Sequence, residues 1–344
     1  MVRIAILSLF LFLGLESAAQ NELLKVLPEV KGPVKHHFYQ TLMDDHGSYA
    51  SIPISVIKGK EAGPTLAIIA GIHGYEYPPI IAMQTLIQEI KPALLSGTLI
   101  ILPMANPNAF YGREPFLNPQ DGLNLNRVFP GDSLGTITER IADFMTNSII
   151  SESDVFIDIH GGDANEDLLP FVCYYNNESK PVQTSLAKRL SEASGFEYVV
   201  SYAYTLKDEE PAKYAFKQAV QDGKTGLSIE AGKLGNVQED EVDLIKNGVY
   251  NMLNELDMYT IKEQAKPKII RLDKQSYLRS AYKGVFYSDY KAGDRVEQGA
   301  EVGVIKNAFG EIITTIIAPV EGIILYKIGT PPVNKGETIM CIGF

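Results

Sequence analysis

Tryptophan is absent from the 344 residues and cysteine occurs only twice, which excludes a small scaffold held together by several disulfides. Cys173 and Cys341 lie far apart in the chain, and the sequence leaves open whether they form one bridge or two buried thiols. Basic clusters are also missing: 31 Lys and Arg stand against 42 Asp and Glu, a net charge of −11. A surface of that sign repels a nucleic-acid backbone and an anionic membrane face, so neither is expected as a partner. No solenoid-type repeat is present. Apolar runs of bilayer length are lacking too, because the longest, Ile4 to Leu15, falls short of the ~20 residues a spanning helix needs. With Arg3 before it and Ser17, Ala18 and Ala19 after it, this run reads as a signal peptide over residues 1–19, with an uncleaved anchor as the alternative. The mature chain is then exported, to the periplasm or beyond, without a membrane segment.

What remains is ordinary for a folded protein: 45% of residues are hydrophobic and 21% charged, over a length that suits about two domains. Ser51–Lys58 and Leu66–Ala70 read as strands, Pro78–Ile90 as a helix that begins on two prolines, and Thr98–Leu102 as a buried strand. Residues 105–130 are crowded with Asn, Pro and Gly and show no period, which marks a long loop of the kind that binds or catalyses. Thr136 and Glu139 form a capping-box pattern before a helix to Ile150. Strands are expected at Val155–Ile159, Leu168–Tyr175, Tyr198–Ser201 and Leu227–Glu230, alternating with helices at Pro181–Ala193, Ala212–Ala219 and Glu239–Leu256. That alternation predicts an α/β domain with a mixed central sheet flanked by helices, over residues 20–268. Beyond Pro267 the texture turns to short β runs between glycine-bearing turns, so residues 269–344 are expected to form a small all-β domain.

Only five histidines exist, and two of them stand where predicted buried strands run out into glycines. His73 and Glu76 share the turn Gly71-Ile72-His73-Gly74-Tyr75-Glu76, and His160 ends a strand within Asp158-Ile159-His160-Gly161-Gly162. Open α/β sheets place their sites at such strand ends, and two imidazoles with one carboxylate are the ligand set of a catalytic Zn²⁺ with an open fourth position. Either histidine alone would read as a satisfied polar residue; together they point to metal. His36, His37 and His46 fall in a polar segment and read as surface residues.

His73-x-x-Glu76, the Asn126-Arg127 pair, His160 and Glu230 occur in this order over residues 50–260, and in that combination the chain resembles the succinylglutamate desuccinylase/aspartoacylase family, of zinc carboxypeptidase-like fold. The resemblance implies that His73, Glu76 and His160 hold zinc and that Glu230 is the general base. It further implies that Asn126 and Arg127 grip a substrate carboxylate and that Arg113 polarises the scissile carbonyl. Physical chemistry agrees with these roles: a carboxylate at the end of a buried strand needs a partner or a task, and the guanidinium of Arg127 is a planar fork that fits a carboxylate. Asn124 stands where the family often carries an acid that backs a metal-bound histidine. A neutral amide there still accepts a hydrogen bond but leaves the histidine less basic.

The C-terminal segment, through Gly293-Asp294-x-Val296-x-x-Gly299, Ala318-Pro319-x-x-Gly322 and Val333-x-x-Gly336, resembles the biotinyl/lipoyl barrel. The attachment lysine is missing from the hairpin Asn307-Ala308-Phe309-Gly310, and Lys306 is a poor substitute. The domain is therefore expected to wall the active site or mediate assembly, with a homo-oligomer possible. These observations lead to an exported zinc hydrolase that cleaves an amide, or an ester, next to a substrate carboxylate. A metallocarboxypeptidase or peptidoglycan-type amidase would use the same residues, and a non-catalytic metal- or ligand-binding module is the alternative of another class.

Overall fold

The computed structural model describes residues 23, 27, 29–207, 209–262 and 267–344, so the expected signal peptide at 1–19 lies outside the described residues. No helix among the described residues is long and apolar enough to cross a membrane.

Nine strands form one mixed sheet. In chain order they are β1 (Val34–Met43), β2 (Tyr49–Lys58), β3 (Glu61–Ala70), β4 (Ser96–Leu102), β5 (Val155–His160), then β7 (Phe171–Asn176), β8 (Tyr198–Ala203), β9 (Thr225–Glu230) and β10 (Ile270–Leu272). The short β6 (Glu166–Leu168) stands apart from them. Their spatial order is β1-β2-β4-β3-β5-β9-β7-β8-β10. β4, β3, β5 and β9 run parallel at the centre. Such strands are covered on both faces and become apolar on both. Along β3, Ala67 and Ile69 enter one core while Leu66, Ile68 and Ala70 enter the other. Helices α1 (Tyr77–Glu89), α4 (Pro181–Ala193) and α6 (Glu239–Glu255) cover the second face. The first is covered by α3 (Ile137–Phe144) and α5 (Ala215–Gln221), while α2 (Pro107–Gly112) lies in the long loop.

Several boundaries differ from those read in the sequence, each for a local reason. The helix expected from Ala212 begins at Ala215, because Lys213 sits in the left-handed region at φ 69° and its N–H bonds to Phe129 O. The helix capped by Thr136 and Glu139 is α-helical to Phe144 and then widens into a π-turn over Met145–Ile150. The strand expected over 168–175 divides before Pro170: Leu168 ends β6, and β7 starts at Phe171. β1 was not expected, and it carries His36 and His37, both exposed.

After β10 the chain builds two further sheets, β11-β18-β16-β13 and β15-β14-β12-β17, from the strands Gln275–Arg279 (β11), Gly284–Tyr287 (β12), Arg295–Val296 (β13), Glu301–Lys306 (β14), Ile312–Ile317 (β15), Gly322–Ile328 (β16), Pro332–Val333 (β17) and Thr338–Gly343 (β18). They share a core that includes Phe286, Val302, Ile305, Ile324 and Ile339. The β14–β15 hairpin carries Phe309, 89% exposed, at its tip, and Lys306 lies with its Nζ 4.5 Å over the Tyr287 ring. β6 pairs antiparallel with β16, so the segment that follows His160 is hydrogen-bonded into the C-terminal sheet.

Candidate metal centre

Parallel register brings the carboxyl ends of three strands level. Ala70 of β3 lies beside Ile159 of β5, and His160 lies beside Glu230 of β9. Directly opposed residues share a face of the sheet, so His160 and Glu230 project to the same side. From the end of β3 the chain turns through Gly71 and is held by Ala105 N–H and Asn106 N–H, which donate to the carbonyls of Ala70 and Gly71. The buried Asn106 side chain donates to Ile72 O at 3.3 Å and accepts from Ala109 N–H at 3.2 Å, capping α2 while fixing the turn. Gly74 is needed at this contact, since a Cβ there would lie 2.3 Å from Glu114 O and 2.4 Å from Ala109 O. Gly232, at φ 100°, lets the segment after Glu230 turn against Pro78, whose Cγ would be 2.7 Å from a Cβ.

His73, Glu76 and His160 come together, all buried, with ligand atoms within 4.8 Å of one another. Both imidazoles present Nδ1 to the same oxygen, Glu76 Oε1, at 2.7 Å from His73 and 3.0 Å from His160. Burial works against a charged Glu76, but the two imidazoles outweigh it and hold the carboxyl down at about 2. On its far side, His73 Nε2 meets Asn124 Oδ1 at 3.2 Å, the contact expected of that position. Glu230 lies largely buried at the end of β9, where the Ser228 hydroxyl donates to its Oε1 at 3.1 Å. Burial pushes Glu230 up to about 7, with His160 opposing and Glu76 and Asp158 adding, a range that suits a proton acceptor near neutrality.

Asn126 is buried beside this group: its Nδ2 lies 3.5 Å from His160 Nε2, and its Oδ1 accepts from Ala215 N–H at 3.0 Å. Arg127 is exposed, donates from Nη1 to Asn126 O at 2.6 Å, and stacks with Cζ 4.9 Å from the Tyr214 ring centroid. The rest of its fork has no acidic partner among the described residues. Arg113 is not drawn into the cluster. It follows α2 in the left-handed region at φ 55°, is exposed, and bears electrostatically on Tyr77.

Three acidic residues near the site were not singled out in the sequence. Asp158 is wholly buried behind His160, Asp163 is buried beside His73, and Glu166 opens β6. Burial raises Asp163 to about 7 and Glu166 well above the usual carboxylate range. The signal available was the Gly161-Gly162-Asp163 sequence directly after His160. Among the described residues no Lys or Arg pairs with Asp158, Asp163, Glu166 or Glu230. Two imidazole Nδ1 atoms and one buried carboxylate, ringed by acids that no Lys or Arg neutralises among the described residues, fit a divalent cation, and the N₂O donor set fits zinc.

Comparison with known proteins places this geometry in context. Residues 62–256 match the succinylglutamate desuccinylase/aspartoacylase catalytic domain. The N-α-acetyl-L-2,4-diaminobutyric acid deacetylase of Halomonas elongata is 31% identical over 324 residues, which cover 90% of this chain and 91% of that protein. Among solved structures, a succinylglutamate desuccinylase from Silicibacter sp. TM1040 superposes with a TM-score of 0.80 at 27% identity, over 90% of this chain and 94% of that one. The product-bound ectoine utilization protein EutE (DoeB) from Ruegeria pomeroyi gives a TM-score of 0.81 at 25% identity, over 91% and 96%. With its catalytic domain and most of its length matched in sequence, the chain belongs to the succinylglutamate desuccinylase/aspartoacylase family.

Proposed function

We propose that this protein is an exported, zinc-dependent deacylase of N-acyl amino acids. The observation that carries the reading is the convergence of His73 Nδ1 and His160 Nδ1 on Glu76 within 3.0 Å, with Glu230 on the neighbouring strand end. The deacetylase of Halomonas elongata supports the substrate class. Export is supported by the sequence alone, through Arg3, the apolar Ile4–Leu15 and the small residues to Ala19.

His73, Glu76 and His160 would hold the ion. A bound Zn²⁺ polarises a carbonyl and makes a water more acidic. Glu230 takes the proton from the attacking water and passes it to the departing amine, so that the amide C–N bond breaks as a neutral amine leaves. Arg127 and Asn126 bind the substrate carboxylate and set the scissile bond over the cluster. A carbonyl-polarising role for Arg113 rests on the family resemblance alone. Arg127→Ala is expected to raise KM by roughly 10- to 100-fold, the loss of about 1.5–3 kcal/mol of charged hydrogen bonding, with kcat changed much less; steady-state kinetics on an N-acyl amino acid check this.

The reading is tested by purifying the mature chain, measuring bound metal, and assaying N-acyl amino acids and short peptides with and without a chelator. About one zinc per chain and chelator-sensitive release of free amino acid are the expected result. Trimming of peptides with acyl amino acids left intact would instead establish a carboxypeptidase, and a metal-free, inert protein would leave a binding module.

A further inference from the structure

In the sheet order β15-β14-β12-β17, β15 pairs with β14 alone, and among the described residues no strand lies against its other side. Just past its end, Ala318 turns both backbone groups toward the β14 side, donating its N–H to Ala300 O and accepting from Gly299 N–H. Backbone groups alternate in direction along a strand, so the N–H and C=O of Thr315 and Ile317 face the open edge. The register with β14 shifts at Ile313 and, on the β14 side, at Val302, which leaves β15 itself continuous from Thr314 to Ile317.

Open edges of this kind are normally blunted by a charge or a proline. β15 reads Ile312-Ile313-Thr314-Thr315-Ile316-Ile317 and carries neither. Thr314 and Ile316 are half-buried, Ile316 against the C-terminal core, whereas Ile313, Thr315 and Ile317 form an exposed outer face. Ile312 is 63% exposed, Ile317 49% and Ile313 38%, and Phe309 stands out at the hairpin tip. These four side chains leave roughly 500 Å² of apolar surface open on one copy, so that two copies reach the about 1,000 Å² a specific interface needs. A protein of net charge −11 repels its own copy over most of its surface, but no side chain between Glu311 and Glu321 is charged.

We propose that β15 joins a second copy of this chain, edge to edge and antiparallel, about a twofold axis at Thr315. Residues directly opposite in a sheet share a face, and this register satisfies that condition throughout. On the outer face Ile313 lies opposite the partner's Ile317, and Thr315 opposite the partner's Thr315. On the inner face Thr314 lies opposite the partner's Ile316. Cross-strand pairs of β-branched residues are the kind that stabilise a sheet, and the strand supplies them to its own copy. The contact turns two four-stranded sheets into one of eight, and a twofold contact closes on itself, so association stops at the pair.

Thr315→Lys sets two like charges face to face across the axis, and Thr315→Glu does the same with the opposite sign. Sedimentation equilibrium of the purified protein, of each variant and of their equimolar mixture gives mass and dissociation constant, with melting temperatures to confirm that each variant is folded. The expected result is a wild-type dimer in the micromolar range, a dissociation constant raised roughly 10- to 100-fold in either variant alone, and recovery of the dimer when the two are mixed. A wild type that stays monomeric would leave the edge to a different partner and overturn the assignment. So would a dimer that neither variant weakens, a mixture no tighter than its components, or wild-type association that grows beyond the pair. Should the variants not fold, hydrogen exchange of wild type over a dilution series decides. Protection of the Thr315 and Ile317 amides that falls on dilution is expected, and protection independent of concentration would overturn the pairing.

Discussion

Glu230→Gln is expected to lower turnover by roughly 10³-fold, within the 10²–10⁴ that a positioned general base contributes, while bound zinc and KM stay near wild type. Glutamine fills the same volume at the end of β9 and can still accept from the Ser228 hydroxyl, so the change removes a proton acceptor and little else. A 10³-fold loss corresponds to about 4 kcal/mol of transition-state stabilisation. The variant also separates two roles for the carboxylate. Were Glu230 a metal ligand, zinc content would fall with activity; as a base, activity falls alone. Single-turnover measurements with elemental analysis on the same preparation distinguish these outcomes, and activity within tenfold of wild type would remove the base assignment.

The elements that lift Glu230 and His160 into place were legible in the sequence because buried parallel strands announce themselves. Val155–Ile159 and Leu227–Ile229 are largely apolar runs, interrupted by Asp158 and Ser228, that lead to His160 before Gly161-Gly162 and to Glu230 before Ala231-Gly232, and the residue at the end of each is the one that faces the site. The same logic singled out His73 and Glu76. β1 escaped notice because it lies at the sheet edge, where only Gln40 and Leu42 of its ten residues are buried and no apolar alternation survives. Residues 105–130 have no period, so their content was invisible: α2, its Asn106 cap and the Leu125–Arg127 turn are specified by local hydrogen bonds instead of by burial. The place of Arg113 after a helix end likewise follows from the cap geometry of α2. Asp158 was hidden for the opposite reason. Set between Ile157 and Ile159 it looks like a polar interruption of a core strand, and only the packing of β5 shows that it stands behind His160.

Pairing of β6 with β16 ties the C-terminal domain to this chemistry. Leu168, Asp167 and Glu166 lie opposite Tyr326, Lys327 and Ile328, and Asp167 also accepts from Ala292 N–H at 3.0 Å. Lys233, three residues after Glu230, lies 3.7 Å from the same carboxylate. The segments that follow His160 and Glu230 thus meet at one residue held by the C-terminal sheet. The tip of the β14–β15 hairpin is Asn307-Ala308-Phe309-Gly310, and pairing of β6 with β16 connects the C-terminal sheet to the segment that follows His160.

Glu76→Gln is expected to abolish both zinc retention and turnover, the larger of the two effects because it strikes the atom on which the site converges. Both imidazoles direct Nδ1 at Glu76 Oε1, and among the described residues no other carboxylate oxygen is hydrogen-bonded to both rings. Glutamine offers one carbonyl oxygen without charge, so it loses the anionic ligand while leaving four neighbouring acids, Asp158, Asp163, Glu166 and Glu230, in place. Those acids do not substitute, because the structure sets them around the cluster and outside the three-atom ligand group. Loss of a ligand should exceed the roughly 10- to 100-fold that removal of an outer partner costs. A thermal melt in increasing zinc gives the readout: an ion that binds only the folded chain stabilises it by about 4 kcal/mol at a thousand times its Kd, so wild type should rise in Tm across a range where the variant stays flat. A Glu76→Gln protein that melts in step with wild type as zinc is added would show that the ion is held elsewhere.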